Sequence, residues 1–555
     1  MSIRHRPHRI LYLPADDRPC STQWPRLLCR MVDWDLVTPP TNLLGWFNEP
    51  AKPDEIAAWL LETARQPFDG AVLSLDMLVY GGMRAAASSG TRTALAHRRL
   101  EVLGPLRETM GSAPICGFTS ILGLTANTRS DEAARYVHAL RDYSILAGRA
   151  RATGASASDE LRALEATLPP SVIGEYMAIR GRNHEINRRA LEETSRGRLD
   201  FLIFAQDEAA QEGMHRDEQA DLRAAAERLG ATDRVVICNA GPEIAMLLIA
   251  RLIHEHMGKV PEVRPIYCNE FAANRIPFGE DRPLAEQVAI MTSIMGGRLI
   301  QEGEADLVAI INCPLTASRE TVSHEPYHDE RRLQLERLLS DVRVKAGGRG
   351  LAVFDVALAD GADEALVEAL FNTVPDLPAM LSFYSWGRAG NTLAAGLAHA
   401  AIRLIALQDK GAFDLAHLVA KLTPMRYLSL LDALIESEKA HVALLFSRFV
   451  EDYLYNALIR PEVEEHVIRL IRGSVVDLRE VHERAECLMR DLLGAAAADL
   501  WIEHFLSRTS VKIGTEPNRS AVVLAEMEET RLRYPWRRLA EIELDVDFGV
   551  ELVAE

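Results

Sequence analysis

Five short apolar runs, each ending in a polar, charged or glycine-rich cluster, constrain this chain more than any other feature. Ile10-Leu11-Tyr12-Leu13 runs into Asp16-Asp17-Arg18-Pro19, and Ala71-Val72-Leu73 into Asp76, Tyr80 and Gly81-Gly82. Phe201-Leu202-Ile203-Phe204 leads to Gln206-Asp207-Glu208, Val235-Val236-Ile237 to Asn239-Ala240-Gly241-Pro242-Glu243, and Met380-Leu381-Ser382-Phe383 to Trp386-Gly387-Arg388-Ala389-Gly390-Asn391. Runs this short with helical patterns between them read as strands buried on both faces of a parallel sheet. Such sheets bind ligands at the carboxyl ends of their strands. Carboxylates placed there repeatedly are what a small-molecule enzyme needs.

Further strand patterns occur at Pro114–Phe118, Arg264–Cys268, Leu307–Ile311 and Leu351–Val356, making nine in all. Amphipathic stretches such as Asp54–Arg65, Thr93–Arg107, Glu218–Leu229, Glu243–His256 and Asp363–Phe371 separate them. The alternation predicts an α/β fold with a mainly parallel sheet. Strand ends with functional residues run along the whole series, which favours a TIM-barrel-like arrangement; a pair of Rossmann-like lobes is the alternative. A helical insertion is expected at about 127–197, suited either to a lid or to a solvated hairpin. Beyond about residue 395 the strand signal fades. The expected organisation is therefore an α/β body over 1–395 and a mostly helical C-terminal region over 396–555, with a short surface strand near Ile542–Val546.

With 555 residues the chain exceeds what one core usually supports. Its formal charge of −18 argues against nucleic acid, whose phosphates need a basic surface. Seven cysteines without framework spacing suit a reducing cytoplasm, and no apolar stretch runs uninterrupted for the length of a bilayer. The expected partner is a small-molecule substrate, with neither nucleic acid nor membrane. The C-terminal helices are candidates for covering apolar surface, closing the site or forming a homo-oligomer interface.

Asp207-Glu208 is the first catalytic candidate. Where the chain turns after a strand, both carboxylates can reach one pocket, and unlike environments can set one as acid and the other as base. The bland reading gives one carboxylate to a helix cap and the other to water. Asp16, Asp17 and Arg18 come second, with Arg18 held extended by Pro19. Arg18 suits a substrate carboxylate or an internal ion pair with its neighbours; without that pair, the aspartates would suit a divalent cation. Asp76, Tyr80, Glu243, Arg388 and Asn391 complete the expected substrate-binding set. Glu243 and Asn391 have helix-terminus readings as strong as their functional ones.

No cofactor or resident metal is expected. His324-Glu325-Pro326-Tyr327-His328 spells the HExxH zinc-hydrolase string, but Pro326 would break the helix that such a site needs.

Leu13-Pro14-Ala15-Asp16-Asp17-Arg18-Pro19 is similar to the start of a bacterial family known as domain of unknown function 4127. Leu73–Gly82, Arg182-Asn183-His184, Glu280-Asp281-Arg282-Pro283, Asp360-Gly361-Ala362-Asp363 and Ala389–Leu393 also resemble its motifs. The chain departs from them at Asp207-Glu208-Ala209, where members often carry an Asp-Asp pair, and at Asn239–Glu243. The resemblance implies no activity. A fainter one, to barrel glycosidases acting on N-acetylhexosaminides, implies Glu208 as general acid and Asp207 as the group orienting the acetamido nucleophile. The expected function is thus a carboxylate-based hydrolase of a glycoside or another polar small metabolite. A metal-dependent lyase, isomerase or amidohydrolase and a non-catalytic sugar- or metabolite-binding protein are the alternatives.

Overall fold

In the computed structural model, residues 7–125, 135–154, 158–313, 328–346, 350–410, 424–470, 477–514 and 518–555 are described. The chain forms two compact units: Met1–Thr22, Asp35–His256 and Gly279–Ile290 make the first, and Gln23–Trp34, Met257–Phe278 and Met291–Glu555 the second.

The first unit is built on strands β1 (His8–Leu13), β3 (Gly70–Ser74), β4 (Ile115–Ser120), β5 (Phe201–Ala205) and β6 (Val235–Cys238), with β2 (Trp34–Val37) hydrogen-bonded beside β1. The sheet order is β2-β1-β3-β4-β5-β6, and the pairs from β1 to β6 are parallel. All five residues of β3 and of β5 are buried, as expected for strands covered by helices on both faces. Leu13 aligns with Leu73, Ser74 with Phe118, and Ala205 with both Ser120 and Cys238. That register brings the strand exits to one level, so the residues after each strand share one edge. The insertion is helical where described: Val137–Thr153, Asp159–Thr167 and Pro170–Ser195.

The second unit has strands β7 (Glu262–Tyr267), β8 (Arg298–Leu299), β9 (Leu307–Asn312), β10 (Leu351–Asp355) and β11 (Ser382–Tyr384). They form a parallel sheet of order β11-β10-β9-β7-β8. The helix Ala389–Lys410 packs on β10 and β11. Its Ala389–Gln408 stretch is long and apolar enough on average to cross a membrane, although Asn391, His399 and Arg403 interrupt it, and 89% of its most apolar window is buried, as befits a core helix. A π-helical stretch, Phe449–Ile459, is tied to the sheet by Asp452, whose Oδ2 accepts from Ser385 N at 2.8 Å and whose carbonyl accepts from Ala362 N at 2.7 Å. Beneath it the Arg448 guanidinium lies 3.6 Å from the Trp24 ring centre and 3.0 Å from Asp452 Oδ1. The unit ends in an antiparallel sheet of β12 (Thr509–Ile513), β13 (Ser520–Arg533) and β14 (Glu543–Ala554).

All nine expected strands are present, and the α/β class with mainly parallel sheets is the observed one. The arrangement differs from the preferred barrel: the described strands lie in two open sheets, as in the two-lobed alternative. Strand pairing breaks off after β6 and starts again with β7, a step that leaves no mark in local apolarity. Position 395 falls within the helix Ala389–Lys410, so the chain does not divide there. The region after it holds three strands besides its helices.

Candidate functional site

The carboxyl edge of the first sheet carries Asp16, Asp17 and Arg18 after β1, Asp76 after β3, Asp207 and Glu208 after β5, and Asn239 and Glu243 after β6. Asp16 is consumed locally. Its Oδ2 takes Arg18 Nε and Nη2 at 2.9 and 2.7 Å, and its Oδ1 takes the Ser21 hydroxyl at 2.6 Å. Burial alone would raise its pKa, but the Arg18 charge and these hydrogen bonds hold it below the usual carboxylate value. Arg18 therefore serves as the internal partner of Asp16, and the condition for a cation between the aspartates is not met.

Asp76 sits in the helix Leu75–Tyr80, which Ser74 caps at its N-terminus through a 3.2 Å bond to Met77 N. Its carboxylate accepts from Thr119 Oγ1 at 3.0 Å and from Ser120 N at 2.8 Å, so it is fastened to the exit of β4. Asn187 joins the network through Ser120 O at 3.0 Å. Burial pushes the Asp76 carboxyl up to about 6, outweighing these bonds. The helix ends in Gly81 and Gly82, at φ 87° and 118°; a Cβ on Gly82 would come within 3.3 Å of Ala15 O, in the turn after β1. Tyr80 is buried beneath Arg182, whose guanidinium lies 4.6 Å from the ring centre. Arg182 donates to the carbonyls of Ala86, Ser88 and Thr91, so the Arg182-Asn183 part of the motif clamps the chain that follows Gly82.

Glu208 is half-buried, and three groups set its position. Thr125 Oγ1 donates to its Oε2 at 3.0 Å, Arg141 Nε lies 3.6 Å from its Oε1, and Gly123 leaves room beside it, since a Cβ there would meet the carboxylate at 3.1 Å. Arg141 belongs to the helix Val137–Thr153, which also reaches the following loop through Arg149 and Glu212 at 2.6 Å. The insertion is thus docked on the loop that carries Asp207-Glu208. From the helix Pro170–Ser195, Arg180 donates to the carbonyls of Leu122 and Gly123, both at 2.8 Å, and pairs with Glu218 at 2.7 Å.

Between β5 and β6 the edge holds polar atoms with no hydrogen-bond partner among the described residues. Both polar side-chain atoms of Asn239 and Oε1 of Gln206 are buried without a hydrogen bond, and each residue is 1% exposed. Gln206 Nε2 donates to Glu208 O at 2.7 Å, which joins this amide pair to the carboxylate loop. An unpaired buried polar atom costs about 1–3 kcal/mol, so such atoms mark places where a ligand or ordered water completes the structure. Glu243 is buried just before the helix Ile244–Met257. Asp281 stands near the same edge, where Ala209 N donates to Gly279 O at 2.9 Å. Burial would raise Asp281, yet Arg282 at 2.9 Å and Gln219 at 2.7 Å hold it below the ordinary value.

Neighbouring strands are about 4.8 Å apart. Asp16 therefore stands three strand steps, about 14 Å, from the β5 exit, whereas Asp76 and Glu208 are both fastened to the β4 exit and Asn239 lies one step beyond Glu208. The β4 to β6 exits thus lie about 10 Å apart, with Asp16-Arg18 on the far side of β3 from them. Arg388 and Asn391 belong to the second unit, where Asn391 Oδ1 accepts from Arg388 N at 3.3 Å in the first turn of the helix after β11.

A second carboxylate cluster, outside the expected site residues, stands at the exits of β9 and β10. Asp355 is buried and accepts from Asn312 Nδ2 at 2.9 Å, Ala357 N at 3.0 Å and Asp363 N at 2.6 Å. Burial and the neighbouring Asp363 charge raise its pKa. Asp363 caps the helix Glu364–Thr373 and pairs with Arg331 at 2.7 Å. These bonds tie the cluster to its own strands and helices, which fits a structural role; its sequence signals were an aspartate ending an apolar run and the family motif that contains Asp363. His324 to Tyr327 of the HExxH string lie outside the described residues, and His328 opens the helix His328–Ala346 with its Nε2 3.0 Å from Glu368.

No curated protein matches the chain, so the fainter glycosidase likeness finds no support there. The model of a family described as protein of unknown function, DUF4127, matches residues 10–545, which include both parallel sheets. The chain belongs to the DUF4127 family.

Proposed function

We propose that the first unit carries a carboxylate-based hydrolase centre for a glycoside or another polar small metabolite, at the exits of β4, β5 and β6. Asn239 carries this reading: a fully buried amide with donor and acceptor both unpaired, one strand from the half-buried Asp207-Glu208 pair. A hydroxyl-rich ligand supplies the missing partners, because each hydroxyl both donates and accepts. In this reading Glu208 is the acid/base group, a role worth about 10²–10⁴ in rate. Asp207 orients the substrate, Asn239 and Gln206 bind it, and Asp76 and Arg141 act as positioning residues. The seven cysteines form no disulfide, which suits the cytoplasmic setting we assign to the chain.

The test is a screen of the purified protein against chromogenic glycosides and a polar metabolite library, with Glu208→Gln as control. Turnover in the parent that is lost in the variant supports the hydrolase. Ligand binding without turnover, retained in Asp207→Asn and Glu208→Gln, would replace it with a binding protein. Activity abolished by chelator would replace it with a metal-dependent lyase, isomerase or amidohydrolase. Neither binding nor turnover in the parent would overturn the proposal.

A further inference from the structure

We propose that His8, Asp69 and His256 form a zinc-class metal site at the amino edge of the first unit's sheet, opposite the carboxylate edge. His8 is the first residue of β1, Asp69 directly precedes β3, and His256 lies in the last turn of the helix Ile244–Met257. One ligand atom from each can be chosen so that all lie within 4.8 Å of one another. His8 Nδ1 is 3.5 Å from Asp69 Oδ1, and the two imidazole centres are 4.3 Å apart at 65°.

A tetrahedral ion with bonds of about 2.0–2.1 Å separates its ligands by about 3.4 Å. The His8–Asp69 pair is already at that spacing, and the exposed His256 closes the set by turning its side chain inward. The backbone fixes the Asp69 carboxylate in a ligating orientation. Its Oδ2 accepts from Arg9 N at 2.7 Å and its own N–H donates to Arg9 O at 2.8 Å, which aims Oδ1 at His8. An outer hydrogen bond that fixes a ligating carboxylate in this way is a regular part of metal sites. Two imidazoles with one carboxylate suit Zn2+ in preference to Ca2+ or Mg2+, which take oxygen ligands; water fills the fourth position. The competing account is a surface His–Asp ion pair with a second histidine beside it. That account gains nothing from zinc, whereas the metal site does.

Five further residues of β1 follow His8 to the strand exit at Leu13, about 17 Å of extended chain. The ion therefore fastens the start of β1, the lead into β3 and a helix end, and it stabilises the unit without touching the carboxylate edge. The untagged, chelator-stripped full chain is titrated with Zn2+ by calorimetry, its thermal midpoint is followed, and Co2+ is substituted for its visible absorption. The site requires one Zn2+ per chain, a raised midpoint and the intense bands of tetrahedral Co2+. His8→Gln and His256→Gln should each weaken binding about tenfold or more, and the double variant should abolish it with the circular dichroism unchanged. No zinc uptake by the parent, or unchanged stoichiometry and affinity in the double variant, would overturn the site.

Discussion

The Thr125 hydroxyl donates to Glu208 Oε2 across 3.0 Å, so the exit of β4 aims the acid/base candidate on the exit of β5. Removing that bond misaims the carboxylate without removing it. A hydrogen bond of about 1 kcal/mol corresponds to about a fivefold change in rate. If the screen finds a substrate, Thr125→Val should therefore lower kcat/KM on it about fivefold, against about 10²–10⁴ for Glu208→Gln. Steady-state kinetics on the pair decide: an unchanged Thr125→Val rate would show that Glu208 does not depend on this bond.

Asn239 yields a prediction of opposite sign for stability and binding. Leucine has the same branched side-chain shape and no polar atoms, so Asn239→Leu removes two buried groups that lack partners among the described residues. The variant should unfold at higher urea, by about 1–3 kcal/mol, while losing affinity for the sugar or metabolite. A stability loss in the ligand-free protein would mean that water satisfies the amide.

Asp76 gives the first unit a pH dependence. Its carboxyl is raised from 3.8 to about 6, chiefly by burial, so the folded chain keeps a proton that the unfolded chain has released. Between those values the native state binds more protons, and stability falls as pH rises, by at most about 1.4 kcal/mol per pH unit, before levelling above about 6. Asparagine fits the same bonds. Its oxygen accepts from Ser120 N, its nitrogen donates to Thr119 Oγ1, and that hydroxyl turns to Asn187 Oδ1 at 3.2 Å. The advantage of Asp76→Asn over the parent should grow from pH 4 to 6 and then stay constant, measured by urea unfolding. A difference that does not change with pH would refute the titration.

Local signals carried the nine strands, because most are buried apolar runs that need no knowledge of their partners. What pairs with what was hidden: nothing within Val235–Cys238 or Glu262–Tyr267 says that the first ends one sheet and the second belongs to the next. Trp34–Val37 is four residues at a sheet edge, too short for a pattern. In the C-terminal sheet, alternation marked the start of β14, while its partner Ser520–Arg533 was submerged in a region read as helical. At the site, the strand-exit position of Asp76 and Asp207-Glu208 was legible from apolar runs ending in acids. That Arg18 neutralises Asp16, that Arg141 comes from the insertion to Glu208, and that Asn239 finds no partner among the described residues are facts of packing.

The docking of the insertion on the carboxylate loop gives the last prediction. Gly148, in the helix Val137–Thr153, faces Gly213, which lies just past Glu208 and Glu212. A Cβ on Gly148 would stand 2.2 Å from the Gly213 carbonyl carbon and 2.5 Å from its Cα, both rigid backbone. Gly213 has φ 147° and is itself hemmed in by His215, so the loop has no easy retreat. The helix must shift instead, and Arg141 on the same helix moves away from Glu208. Gly148→Ala should then cost about 1–3 kcal/mol or more, despite alanine's better helix propensity, and should lower turnover together with stability. Gly174→Ala is the control: it sits in the helix Pro170–Ser195 with open space around its would-be Cβ, and should stabilise by up to about 1 kcal/mol. Urea unfolding of the two variants separates propensity from packing, since only the packing contact of Gly148 reverses the sign. If both substitutions stabilised the protein, the insertion would not rest on the Gly213 loop.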